Sequence, residues 1–264
     1  MRAATTLCFL ICLGPAAALA QSLTAILEPA DLVEVRPTVA GILTEIAVTE
    51  GQTVDQGALL AQIDDRSQAE RVALAQAVAS ADGRIQRADA QIAQAESLVA
   101  RMEKARGRGA AQEWEVEQAR QALALATADK QIALDGQVQA LAQLKLEQAV
   151  LETYRLRAPF AGVVLEVNEN LGANVDMQSV VVTIAQLDAL EATAFIPLAW
   201  LNTVMPGDLL RASVEGEGAQ SVNVVVTSID PRIDPASQTV RIRVSLANDQ
   251  GVHRPGSTLV LQAP

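Results

Sequence analysis

The chain has 264 residues, half of them hydrophobic but only 2% aromatic, and a formal net charge of −11. With so few rings, Val, Leu, Ile and Ala must fill the interior, which predicts several thin modules rather than one large enzyme core. The acidic balance excludes a nucleic-acid partner, because binding phosphate requires a basic footprint.

The first twenty residues, MRAATTLCFLICLGPAAALA, combine one Arg, an apolar run from Leu7 to Leu13, the breaker Gly14-Pro15 and the small-x-small site Ala18-Leu19-Ala20. This predicts a secretory signal peptide over 1–20, too short to remain as a spanning anchor, and a mature chain starting near Gln21. Both cysteines, Cys8 and Cys12, lie inside it. The mature chain is then expected to hold no disulfide, no thiolate metal site and no Cys nucleophile, in an oxidising, extracytoplasmic space. Residues 21–38 are expected to supply the strand or strands that lead into the next module.

Residues 39–64, VAGILTEIAVTEGQTVDQGALLAQID, recur at 160–185 as FAGVVLEVNENLGANVDMQSVVVTIA, in register at an offset of 121. Gly41 meets Gly162, Gly51 meets Gly172, Val54-Asp55 meets Val175-Asp176, and Ile63 meets Ile184. Ile42, Thr44, Ile46 and Val48 in one copy, and Val163, Leu165 and Val167 in the other, read as the inward face of a short strand. Gly51 and Gly172 are placed where a tight turn needs positive φ, and Gly41 and Gly162 are read with them as turn glycines of the two halves. Each copy, 39–65 and 154–187, is too small to bury its apolar face alone, so the two are expected to close on each other as one sandwich split in sequence.

Between the copies, residues 66–153 predict an antiparallel helical hairpin. Leu74, Val78, Ala81, Ile85, Ala88, Ile92, Ala95, Val99 and Met102 alternate spacings of four and three, the seam of a coiled coil. Two glycines in Arg106-Gly107-Arg108-Gly109 permit a reversal, with the tip at about 105–110. The returning seam takes Leu123, Leu134, Leu141, Leu144 and Leu151, with Lys130, Gln137 and Gln148 as interruptions. Each arm is about 60 Å long by the helical rise. Residues 188–264 then alternate as short strands with turns, including VMPGDLLRASVEG (204–216) and HRPGSTLVL (253–261).

The two repeat halves resemble a biotinyl/lipoyl domain, but neither contains the lysine that would carry a prosthetic group. A cofactor-carrying enzyme is thereby disfavoured. Split lipoyl halves around a hairpin, followed by strands carrying VTSIDPRIDPASQTVRIRVSLAND (226–249) and a Pro-Gly turn, resemble the HlyD-type membrane fusion proteins, the periplasmic adaptors of tripartite efflux pumps and secretion systems.

The resemblance implies a mainly β fold plus coiled coil: a split lipoyl-like β-sandwich, an inserted hairpin and an adaptor-type β-barrel. It also implies that the family's membrane-proximal domain is missing, since the mature chain would begin near Gln21 and end at Pro264. It implies a non-enzymatic periplasmic subunit without cofactor or metal. This subunit bridges an inner-membrane transporter, an RND-type pump first, to an outer-membrane channel, in a homo-oligomeric ring that is a hexamer by family likeness. An ABC-type exporter or secretion system, or a periplasmic structural protein built from the same modules, are the alternatives.

In adaptors that meet a TolC-like channel, the tip carries Arg, then Leu four residues on, then Ser seven further; the matching positions here are Arg101, Ala105 and Gln112. Together with Arg106, Arg108 and Trp114 these form the expected docking surface, because Trp and Arg are enriched where proteins bind one another. His253 has no second His or Cys to make a site, and reads as a solvated loop residue. Asp230 and Asp234 beside prolines read as turn residues, and Trp200 as barrel core.

Overall fold

The computed structural model describes residues 23–215 and 221–263; the expected signal peptide over 1–20 and the start near Gln21 lie outside them. The chain divides into two compact units, one running up to Leu32 and resuming at Ala185, the other spanning Val33–Ile184. They share two long strands, β1 (Leu23–Val35) and β8 (Val182–Pro197).

In the second unit the repeat becomes an interlocked sandwich. Strand β2 (Gly41–Ile46) pairs with β7 (Asn174–Val175), and β6 (Gly162–Val167) pairs with β3 (Thr53–Val54), so the first strand of each half joins the short strand of the other. The backbone repeats the exchange: Gly51 N–H donates to Val164 O and Gly172 N–H to Leu43 O, both at 2.8 Å. Gly51 and Gly172 have φ of +79° and +85°, conformations that cost glycine nothing.

Gly41 and Gly162 are not turn residues: each opens a strand. A Cβ on Gly41 would lie 2.5 Å from Ile63 Cγ2, so close packing requires glycine there. The strand β4 (Leu59–Ile63) pairs with β2 on one side and with β5 (Arg155–Arg157) on the other.

The inward phase of the repeat strands is opposite to the expected one. Leu43 and Val164 are buried, whereas Ile42 and Leu165 are 50% and 42% exposed. The register of β2 shifts between Leu43 and Glu45, and this bulge returns Ile46 to the inner side, so no single alternation holds along the strand. The core pairs Leu60 with Val181, Ala61 with Val182 and Ile63 with Ile184 at the repeat offset, all free of solvent. Burying each Val, Leu or Ile side chain stabilises the sandwich by about 1.5–3 kcal/mol.

The hairpin comprises α1 (Arg66–Ala79), α2 (Gly83–Arg106) and α3 (Glu113–Glu152). The ascending arm is therefore not one helix. The more buried positions of α1 are Gln68, Val72, Ala75 and Ala79; those of α2 include Ile85, Ala88, Ile92, Ala95, Val99 and Met102. Continuing the four-three spacing from Ala79 reaches 82 and 86, one residue out of step with Ile85. The break at 80–82 absorbs the mismatch, helped by Ser80 Oγ donating to Gln76 O at 2.8 Å.

As a result Leu74, Val78 and Ala81 lie outside the seam, with Leu74 67% exposed. In α3 the seam runs unbroken through Val116, Ala119, Leu123, Ala126, Lys130, Ala133, Gln137, Ala140, Leu144, Glu147 and Leu151. Lys130 and Gln137 are members of it, while Leu141 and Gln148 are exposed. Alanine at alternate positions lets the arms approach, and two of the polar members, Lys130 and Glu147, have partners across the hairpin. Gln68 Nε2 donates to the carboxylate (2.8 Å) and carbonyl (3.1 Å) of Glu147, and Lys130 Nζ lies 2.7 Å from Asp89.

In the first unit, β9 (Leu209–Val214), β10 (Ser221–Asp234), β11 (Thr239–Ala247) and β12 (Thr258–Leu261) join β1 and β8 in the order β1-β12-β9-β10-β11-β8, all adjacent pairs antiparallel. Alternation fills the core: Leu190, Ala192, Ala194 and Ile196 of β8 face Val240, Ile242, Val244 and Leu246 of β11, and Trp200 closes one end. Leu23–Ile26 pair with β12, so β1, expected over 21–38 to lead into the sandwich, begins among the barrel strands.

Candidate functional site: the hairpin tip

Arg106 ends α2, residues 107–112 make the turn, and Gly109 takes a φ of +70° that lets Ala110 N–H return to Ala105 O at 2.9 Å. Gln112 caps helix α3, its backbone N–H donating to Glu115 Oε2 at 2.7 Å; Glu113 and Glu115 place negative charge at the helix N-terminus. The sequence at 112–115 thus supplies both the helix start and the acid that holds it.

The structure divides the six residues of the expected docking surface into two groups. Arg106 donates to both carboxylate oxygens of Glu113, at 2.7 and 2.8 Å, and closes the turn. Gln112 accepts the indole N–H of Trp114 at 2.9 Å, and Ala105 is half-buried. These three shape the tip. Arg101, Arg108 and Trp114 face outward: Trp114 is 60% exposed, Arg101 reaches only Ser97 Oγ at 3.4 Å, and Arg108 has no side-chain partner among the described residues. Arg101 lies about 7.5 Å down the axis from Arg106 by the helical rise. Lower on the hairpin, Arg120 and Glu103 bridge the arms at 2.7 Å.

Two residues beyond the quoted repeat do matching work. Arg36 Nη1 donates to Gln178 O at 2.8 Å, and Arg157 Nη1 donates to Gly57 O at 3.1 Å. Both pairs are related by the offset of 121, so each half clamps a turn of the other. The signal is legible as Arg36-x-x-x-Ala40-Gly41 against Arg157-x-x-x-Ala161-Gly162.

At the hairpin base, Arg66 beside Asp64 holds that carboxyl down at about 2, chiefly through their side-chain hydrogen bonds of 2.9 and 2.6 Å. His253 is half-buried, not solvated; Asn248, itself buried, accepts from its backbone N–H at 2.8 Å and donates to its carbonyl at 2.9 Å. Asp234 begins the β10–β11 turn as expected, accepting from Ala236 N–H at 2.8 Å, but Asp230 lies within β10 and bonds Arg232 and Arg241. No group of three potential His, Cys, Asp or Glu metal ligands occurs among the described residues, and no helix there is long and apolar enough to cross a membrane.

A sandwich interlocked from two chain segments, a hairpin inserted between them and a following set of barrel strands define a membrane fusion protein. Residues 31–186 match the CzcB-like, barrel-sandwich hybrid domain and residues 192–263 the CusB-like, beta-barrel domain; the chain belongs to the HlyD-type membrane fusion protein family of periplasmic adaptors. Over 225 residues it is 27% identical to the nodulation protein NolF of Rhizobium meliloti (strain 1021), covering 83% of this chain. It spans 56% of the length of that relative.

Among solved structures, MacA from Actinobacillus actinomycetemcomitans superposes with a TM-score of 0.76 at 20% identity, covering 93% of this chain and 79% of that one. The membrane fusion protein Spr0693 from Streptococcus pneumoniae R6 superposes with a TM-score of 0.57 at 18% identity, covering 92% and 98%. At these identities the likeness establishes the fold.

Proposed function

We propose that the protein is a periplasmic adaptor subunit that joins an inner-membrane transporter, an RND-type efflux pump first, to an outer-membrane channel, and that it works as a ring of identical copies. In this reading the sandwich acts as a lipoyl-like module that carries no prosthetic group, and the hairpin is a coiled-coil spacer. The observation that carries the proposal is the hairpin: a 40-residue helix, seamed along its whole length by the ascending arm, ends in a turn that displays Arg101, Arg108 and Trp114. Ordering about 90 residues into a thin rod has an entropic cost that makes sense when the tip must reach a partner. Guanidiniums and an indole fixed by Gln112 suit a protein surface that offers carboxylates.

The test is the double variant Arg101→Ala/Trp114→Ala in the native cell. Export is expected to be lost while folding, secretion and self-association are retained. Full transport by that variant would remove the tip from the docking surface. The transporter recovered by cross-linking from the barrel decides between an RND pump and an ABC exporter.

A further inference from the structure

The outer face of the β10–β11 ribbon carries a set of groups that the hairpin's role leaves unused. Arg241 and Arg243 alternate with the buried Val240, Ile242 and Val244, so both side chains leave the same face of β11. Across the ladder, Arg241 pairs with Phe195 and Arg243 with Thr193. Phe195 is 57% exposed and Ile233 51%.

At the same level β10 shifts register between Val226 and Ser228 and again between Ile229 and Ile233. Bulges of this kind re-aim side chains. Asp230, lying within the second shift, accepts from Arg232 Nε at 3.2 Å and Nη2 at 3.1 Å and from Arg241 Nη2 at 2.7 Å. These bonds depress the Asp230 carboxyl far below the usual carboxylate range, with the Arg232 side chain the largest cause. Arg243 has no side-chain partner among the described residues, and Asp234 is committed to the backbone N–H groups of its own turn.

Clefts of about 260 Å³ open on either side of the Asp230–Arg241 bridge, one edged by Phe195 and Ile233, the other by Pro231 and Arg243. A wider recess of about 590 Å³ continues from Phe195 to Pro197 and Leu198. Guanidiniums held in place by a carboxylate lose little freedom on binding, and their forked geometry fits a second carboxylate bidentately. An exposed ring beside them has the make-up of an interface hot spot. On a chain of net charge −11 this face also draws acidic groups that the rest of the surface repels.

We propose that this face docks an acidic segment of a protein partner, with its carboxylates on Arg232, Arg241 and Arg243 and an apolar side chain in the recess beside Phe195. The inference rests on the adaptor reading and adds the partner's chemistry, an acidic face on the inner-membrane transporter. A lipid surface fits less well, because two carboxylates stand within the patch and the recess is shaped for a side chain.

The experiment places photoreactive benzoyl-phenylalanine at Phe195, and in parallel at Trp114, in the protein made in its native cell. Irradiation from position 195 is expected to give an adduct with an inner-membrane polypeptide whose cross-linked peptide is rich in Asp and Glu. Its yield is expected to fall about tenfold with Arg243→Glu and to persist with Arg243→Lys. The Arg243 side chain bonds no neighbour among the described residues, so its replacement leaves the Asp230 bridge standing even where Arg241→Glu would not. An adduct with lipid, a cross-linked peptide without acidic residues, or an Arg243→Glu yield equal to that of the parent overturns the inference. An adduct from Trp114 with none from Phe195 overturns it alone; no adduct from either position, with export unchanged on deletion of the gene, overturns the adaptor reading as well.

Discussion

The sandwich and the hairpin are both made by one part of the chain returning against another, yet they tolerate sequence differently. In the sandwich the halves answer each other residue by residue, Leu43 with Val164 and Ile63 with Ile184, and even the arginine clamps Arg36 and Arg157 repeat. In the hairpin the arms share no such correspondence. One is broken at 80–82 and the other continuous, and the descending seam contains Lys130, Gln137 and Glu147. Backbone exchange between halves fixes both register and side-chain shape. A helical seam fixes only a face, so a polar residue is accepted wherever a partner stands opposite, as Gln68 does for Glu147.

The sharpest test of the comparison is paired truncation in the sandwich. Ile63→Ala and Ile184→Ala are each expected to cost about 2–5 kcal/mol, and to match within about 1 kcal/mol if the two sites are equivalent. Chemical denaturation measures both; a large inequality would show that the repeat does not extend to energetics. In the hairpin, Ile92→Asp sets a charge into a half-buried seam and is expected to cost about 2 kcal/mol. Circular dichroism should then lose helical signal at a temperature where the sandwich strands persist.

Gln68→Ala takes the donor from the Glu147 carboxylate at the hairpin base, and about 1 kcal/mol is expected. The smallest effect belongs to Asp64, whose carboxyl is held down at about 2 by Arg66. A depressed folded-state value means that its contribution is present at neutral pH and is lost as pH falls from about 4 through about 2. The stability difference between the parent and Arg66→Ala should therefore vanish at the acid end of that range, and carbon-13 titration of the Asp64 carboxyl should move up toward the ordinary value in the variant.

Much of this architecture was legible because repeat and heptad are patterns of spacing. The errors came where a local irregularity resets the phase. Alternation read Ile42 as inward because a bulge between Leu43 and Glu45 leaves no trace in residue types. Ser80, Ala81 and Asp82 are each compatible with a helix, so the break showed only as a heptad one residue short. Leucine alone does not mark the descending seam, because four of its eleven contact positions are alanine, three are polar, and Leu141 points away.

At the tip, the residue types pointed to Arg101, Ala105, Arg106, Arg108, Gln112 and Trp114, but not to Glu113 taking up Arg106 or Gln112 holding Trp114. On the barrel strands, no motif in the sequence singles out Phe195, and Asp230 beside a proline reads as a turn residue. Only the ladder, which sets Phe195 opposite Arg241, brings that patch together.

The interlocked strands also determine when the sandwich can form. Gly41 finds its partner Val175 only after more than a hundred further residues have left the ribosome or the export channel. Closing so long a loop between unstructured ends is slow. The hairpin needs contacts closer in sequence: pairing that spreads from the turn at 107–112 down both arms is expected to bring Gln68 to Glu147 first. That pairing delivers β4 and β5 side by side and converts a distant encounter into a short one. The rod that reaches outward in the finished protein is thus also the splint on which the sandwich assembles.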